Sequence, residues 1–198
     1  HRFYKIRSRT IAWEDEKAYT HIIREVTETK QREEMLRRKA QRDPMTGIGN
    51  RAFFLEKAED MLEKEVSMVF CYCDLDHLKE INDTWGHPAG NFALKSVAEI
   101  LKGCLRSNDI LGRVGGDEYI IMVECEDPEF GESFRQRVKL ACNLFNEKSE
   151  KPFLVEISLG ITEFHPNVST DIQQVISLAD QQLYEAKKHR KKSVRRGA

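Results

Sequence analysis

The chain has 198 residues, with 32 Lys and Arg against 33 Asp and Glu, a net charge of −1, and 40% hydrophobic and 33% charged residues. That length suits one full-sized domain with a charged extension, and the near-neutral balance argues against a partner bound by bulk charge, such as nucleic acid or an anionic membrane. Apolar runs stop after a few residues, short of a membrane span, and no signal-peptide pattern is visible. The basic stretch "HRFYKIRSR" instead reads as a segment lying just inside a membrane in a longer parent protein. The expected place is therefore the cytoplasm, as a free protein or as the cytoplasmic part of an anchored one. Five cysteines, Cys71, Cys73, Cys104, Cys125 and Cys142, form no regular framework and read as reduced thiols. Cys71 and Cys73 would share one face of a strand, but no second Cys or His pair stands at zinc-finger spacing.

Residues 12–42 are rich in Glu, Arg and Lys and contain no Gly or Pro. Ala12, Tyr19, Ile22, Val26, Leu36 and Ala40 fall on one seven-residue frame, which also carries Asp15, Thr29 and Glu33. The pattern predicts a long N-terminal helix with a weak coiled-coil seam, which would pair with a second copy of itself. "DPMTGIGNR" (43–51) then ends the helix, through Asp43-Pro44 and the turn glycines Gly47 and Gly49. Gly47, Gly49 and Ala52 also spell G-x-G-x-x-A. A dinucleotide site needs a strand before those glycines, and a charged helix precedes them here.

"RAFFLEKAEDMLEKE" has helical spacing, and "VSMVFCYCD" (66–74) reads as a central strand, apolar on both faces. "HLKEINDTW" and "GNFALKSVAEILKGCLR" read as helices. A hairpin follows over 109–124, with Gly115 and Gly116 at its turn. "SFRQRVKLACNLFNEK" is helical, residues 153–164 form a strand, and Asp171 N-caps a last helix over 172–189. This order predicts an α/β sandwich: a mixed, mainly antiparallel sheet flanked by helices. The division is an N-terminal signalling helix (1–42), a domain (43–192) and a basic tail (193–198).

Chemistry concentrates at the ends of the central strands. Asp74 and Asp76 close the first strand, and Asp117 and Glu118 sit at the hairpin turn, where adjacent like charges do not help a hairpin. Buried acids need compensation. If the hairpin lies beside strand 66–74, Asp74 and Asp117 can share a hard cation, since Mg²⁺ takes one or two carboxylates and leaves its other positions to water and phosphate oxygens. The glycines before Asp117 would let a nucleotide approach the backbone. No P-loop appears, so its phosphates would be held differently. An acidic turn in water is the competing reading of the spacing alone.

The stretch "DLDHLKEINDTWGHPAGN" (74–91), with "RVGGDEY" (113–119), resembles the GGDEF family of diguanylate cyclases. "DPMTGIGNR" is similar to the motif that opens the family's domain, and "VEISLGIT" (155–162) and "ADQQLYEAK" (179–187) to its last strand and helix. The resemblance implies an adenylyl-cyclase-like α/β domain. It implies a nucleotidyltransferase that condenses two GTP to cyclic di-GMP and two pyrophosphates, with one GTP on each subunit of a homodimer. It also implies an upstream sensor domain. By the same resemblance Asp74, Asp117 and the Leu75 carbonyl would bind Mg²⁺ or Mn²⁺, and Glu118 would support the metal or the proton transfer. Gly115 and Gly116 would lie under the ribose and α-phosphate. The backbone N–H groups of His77 and Leu78 would meet phosphate oxygens, and Lys79 and Lys187 would add charge there. Asn82 would bond the guanine edge. Arg106 and Asp109 would bind cyclic di-GMP as a product-inhibition site.

The chain departs from the family pattern at several points. Tyr119 stands in place of Phe, with a hydroxyl that needs one partner. Leu78 also replaces Phe. Arg190-Lys191 replaces a Gly-Arg pair, so Lys191 faces a phosphate contact usually made by Arg. Asn91 replaces an Asp that would accept from guanine N1–H and N2–H₂; Asn offers one acceptor and one donor, a better match to adenine. The rival to an enzyme is therefore a GTP or cyclic di-GMP receptor, and Asn91 separately suggests a cyclase of relaxed purine selectivity. Nucleic-acid binding through Lys187 to Arg196 is disfavoured, because no aromatics interleave the charges.

Overall fold

The eight residues Met68–Leu75 are buried without exception, and that single strand organises the domain. Its side chains alternate between two apolar layers. Val69, Cys71, Cys73 and Leu75 face one core, and Met68, Phe70 and Tyr72 face the other. A strand apolar on both faces must be covered on both. The computed structural model describes residues 2–13, 16–63, 66–164 and 171–196, without the side chains of 12, 13, 16, 18, 164 and 189–196.

Two compact units divide the chain, 1–41 and 42–198. The second contains β3 (Gly49–Asn50), α2 (Arg51–Leu62), β4 (Met68–Leu75), α3 (Leu78–Trp85), α4 (His87–Gly103), β5 (Ile110–Arg113), β6 (Glu118–Glu124), α5 (Phe130–Lys148), β7 (Ile157–Phe164) and α6 (Ile172–Arg196). The sheet order is β3-β5-β6-β4-β7. Only β3 and β5 pair in parallel; the other neighbours are antiparallel. Helices α3, α4 and α5 cover one face through Ile81, Val97, Leu101, Phe134 and Val138. Helices α2 and α6 cover the other through Phe54, Ala58, Val175, Ala179 and Leu183. Each large side chain so buried contributes about 2 kcal/mol. This is the predicted sandwich, and the hairpin falls at the predicted glycines. The Asp171 carboxylate caps α6 by accepting from Gln173 N–H at 3.2 Å. The predicted strand 153–164 begins only at Ile157, since Asn146 takes both backbone groups of Val155.

The first unit corrects the predicted long helix. Tyr4–Trp13 (β1) and Glu16–Glu25 (β2) form an antiparallel hairpin, and only Thr27–Ala40 (α1) is helical. The cause is legible in hindsight: Tyr4, Ile6, Ser8 and Thr10 alternate with Lys5, Arg7 and Arg9, a period of two, and Tyr19, Thr20, Ile22 and Ile23 favour strands. Of the heptad frame, only Thr29, Glu33, Leu36 and Ala40 lie on α1, which buries no residue within its own unit. Among the described residues no helix is long and apolar enough to cross a membrane.

Candidate active site

Register brings the predicted acids together. Asp74, at the end of β4, pairs across the sheet with Glu118, the first residue of β6. One residue on, the Leu75 N–H donates to the Asp117 carbonyl at 3.1 Å, which places Asp117 beside the Leu75 backbone. Asp74 is 9% exposed, and Lys187 of α6 meets its Oδ1 at 2.5 Å. Burial raises the pKa of Asp74; Lys187 opposes that rise, and the neighbouring charges of Asp117 and Asp76 add to it. One lysine therefore does not balance this cluster.

The hairpin is held from outside the cluster. Arg113 Nη2 donates to the Gly116 carbonyl at 2.6 Å, and Arg113 Nη1 to Asp43 Oδ1 at 3.1 Å. Asp43 in turn accepts from the Thr46 N–H and hydroxyl. The segment 43–51 thus braces the glycine turn, a role that the sequence reading did not give it. A Cβ at Gly115 would meet the Glu118 carboxylate, which would have to move aside. A Cβ at Gly116 would meet nothing within 4 Å, so the protein leaves that face of the turn open.

Past β4 the chain turns sharply. His77 is the only described non-glycine residue with positive φ, +61°, and it precedes α3 directly. A bulky residue in that conformation is strained, and such strain clusters at functional sites. The turn starts α3 within three residues of the end of β4, and the His77 ring Nδ1 lies 3.1 Å from Glu80. Lys79 is exposed on the first turn. Asn82, half-buried one turn later, lays its carboxamide where a side chain of residue 90 would otherwise be, so Gly90 makes its space. Asn91 is exposed beside Gly90 at the start of α4.

Asp76 is not free to join Asp74 and Asp117. Ser158 Oγ donates to both its oxygens, at 2.7 and 2.9 Å, and its N–H bonds to the Glu156 carbonyl. Ser158 lies within "VEISLGIT", but the motif match gave it no role. Tyr119 is fully buried, and its hydroxyl donates to the Leu94 carbonyl at 2.7 Å, the partner it needed. Cys71 and Cys73 are core residues, and burial pushes the Cys71 thiol up to about 12. The Arg106 N–H donates to Asp109 Oδ2 at 2.7 Å in a tight turn before β5, and Arg106 itself is exposed. The side chains of Arg190 and Lys191 lie outside those described. A cleft of about 340 Å³ beside Arg135, Lys139 and Glu156 contains none of the predicted residues.

The donor set suits a hard cation that keeps most of its own ligands. Among the described residues no three His, Cys, Asp or Glu side chains converge as a closed metal cage. Two carboxylates and a backbone carbonyl, with negative charge in excess at a buried oxygen, match what Mg²⁺ takes beside a nucleotide.

A family model described as "Diguanylate cyclase, GGDEF domain" matches residues 40–193. Diguanylate cyclase DgcP of Pseudomonas aeruginosa is 36% identical over 162 residues, covering 77% of this chain and 23% of that protein. The probable diguanylate cyclase DgcT of Escherichia coli K12 is 33% identical over 153 residues, 75% of this chain and 34% of that protein. The chain thus spans about a quarter to a third of these relatives. Among solved structures, diguanylate cyclase SiaD of P. aeruginosa, in complex with its activator SiaC, superposes with a TM-score of 0.71 at 28% identity, over 82% of this chain and 64% of that one. The coiled coil and GGDEF domain of DgcB from Caulobacter crescentus superposes with a TM-score of 0.72 at 22% identity, over 83% and 89%, which shows the shared fold. The chain belongs to the diguanylate cyclase GGDEF-domain family.

Proposed function

We propose that this chain condenses two GTP molecules to cyclic di-GMP and two pyrophosphates, each of two facing copies holding one GTP. The observation that carries the reading is the pair of Asp74, buried at a strand end and short of positive charge, and half-buried Asp117, beside the open face of Gly116. The 3′-oxygen of one GTP attacks the α-phosphorus of the other, the bond from that phosphorus to the bridging oxygen breaks, and pyrophosphate leaves. Repetition in the opposite sense closes the ring.

Asp74, Asp117 and the Leu75 carbonyl would hold Mg²⁺ or Mn²⁺. When bound, that ion neutralises phosphate charge and lowers the pKa of the ribose hydroxyl. The protein's own share is mostly positioning and charge. Gly115 and Gly116 admit the ribose and α-phosphate, and the N–H groups of His77 and Leu78 face phosphate oxygens. Lys79, Lys187 and Lys191 offset the charge of the leaving pyrophosphate. Asn82 and Asn91 meet the base. Glu118 supports the metal site or takes the hydroxyl proton. The exposed Arg106, with Asp109, grips cyclic di-GMP, so product would slow its own formation. In the cell the domain works in the cytoplasm, downstream of a sensor in a longer chain, with α1 carrying the signal to a homodimer.

Asn91 favours a second reading, a receptor that binds GTP or cyclic di-GMP without turnover. Pyrophosphate release from GTP with Mg²⁺ separates the two. Release that is abolished in Asp117→Asn supports the cyclase; nucleotide binding without release supports the receptor.

A further inference from the structure

Register places Tyr72 and Asp74 on the same face of β4, toward α2 and α6. Tyr72 pairs with Ile120, and Glu118 stands one diagonal away, a span that long side chains bridge. A pocket of about 200 Å³ opens there. Leu55, Val114, Ile120 and Ile176 form its apolar walls, and Arg51, Tyr72 and Glu118 are its polar members. A carboxylate against such walls is costly unless it accepts hydrogen bonds. Tyr72 is placed to meet that need: its phenol lines the same pocket as the Glu118 carboxylate, although the ring is buried. The same carboxylate folds into the space left by the absent side chain of Gly115. Glu118 thus stands between the phenol of Tyr72 on β4 and a gap in the hairpin.

We propose that Tyr72 is a positioning residue: its hydroxyl holds Glu118 in the one orientation that reaches the reacting ribose oxygen or its metal. The inference rests on the cyclase reading of this site. It assigns work to a side chain of the central strand that carries no motif letter. The ring of Tyr72 packs in the core with Phe70 and Met122. The ring and the hydroxyl can be tested apart.

Tyr72→Phe keeps the ring and removes the donor. Glu118 would then swing between rotamers. Misplacement of a reacting group by about 1 Å costs on the order of 100-fold. The expected result is a kcat about 10- to 100-fold lower with KM for GTP within about twofold. A crystal structure of the variant should show Glu118 displaced from Gly115. A kcat within twofold of wild type overturns the proposal, as does a loss that appears in KM alone. If wild-type protein does not turn over GTP, the cyclase reading itself fails. The crystal structures of wild type and variant then still decide whether the Tyr72 hydroxyl sets the orientation of Glu118, and an unmoved Glu118 overturns the claim.

Discussion

Gly160 offers a direct test of how the fold places Lys187. It lies in β7 opposite Tyr72. A Cβ there would come within 2.9 Å of Leu183 Cα and closer still to the Ala179 carbonyl and the Leu183 N–H. All three neighbours are backbone in the middle of α6, so no rotamer change relieves the clash. To reach ordinary contact, α6 must retreat by roughly 1 Å along the stretch that carries Val175, Ala179 and Leu183 into the core. Overpacking of this kind costs about 1–3 kcal/mol. Alanine returns about 0.4–1 kcal/mol by restricting the unfolded chain. The expected net loss in Gly160→Ala is therefore roughly 1.3 kcal/mol. With a urea m-value of about 2 kcal/mol/M, the unfolding midpoint falls by about 0.6 M. Lys187 sits one turn beyond Leu183, so its contact with Asp74 is lost as well, and GTP binding weakens. A midpoint equal to or above that of wild type would refute the packing argument.

Gly116→Ala should behave in the opposite way. Nothing lies within 4 Å of the added methyl, so stability stays within about 0.5 kcal/mol, while nucleotide affinity falls if a ribose and phosphate occupy that face; isothermal titration with a GTP analogue checks both halves. Arg113→Met removes the brace on the hairpin. The two side chains of the pair are 10% and 16% exposed, and breaking it should cost about 2–3 kcal/mol, below the full cost of a buried pair because Asp43 keeps its Thr46 bonds. Burial raises the Asp43 pKa but is outweighed by Thr46 and Arg113, so the folded value lies below the ordinary 3.8. The pair's stability is then fully present above that ordinary value and lost as pH falls through the lower folded one; unfolding curves of variant and wild type should converge only below about pH 3.8. Asn91→Asp should raise the preference for GTP over ATP about 5- to 100-fold, from the 1–3 kcal/mol cost of a mismatched donor; an unchanged ratio in competition assays rejects a selectivity role for Asn91.

Much of this site is readable in the chain because its parts are local. Asp117, Glu118 and the glycines share one turn, Asp74 ends one apolar run, and the strand and helix signals around them are strong. The supporting contacts are not local. Arg113 and Asp43 stand 70 positions apart, and Ser158 and Asp76 stand 82 apart. Neither pair has a spacing that a motif would reveal. Gly90 looks like a helix-breaking residue until Asn82 is seen lying against it. Tyr72 reads as one more apolar letter in "VFCYCD", and only the sheet register puts its hydroxyl near Glu118. The N-terminal error has a different cause. The charged, Gly- and Pro-free stretch 12–42 has the composition of a helix, and the strand-favouring Tyr19, Thr20, Ile22 and Ile23 within it carried the contrary information.

The measurement that bears most directly on the account is product identification by mass spectrometry. Purified protein at high concentration, so that two copies meet, is incubated with Mg²⁺ and GTP, ATP or both. The account predicts cyclic di-GMP from GTP, at a rate that rises more than proportionally with protein concentration, and none when Asp74 or Asp117 is changed to Asn. GTP that binds but yields no cyclic dinucleotide at any protein concentration would contradict it.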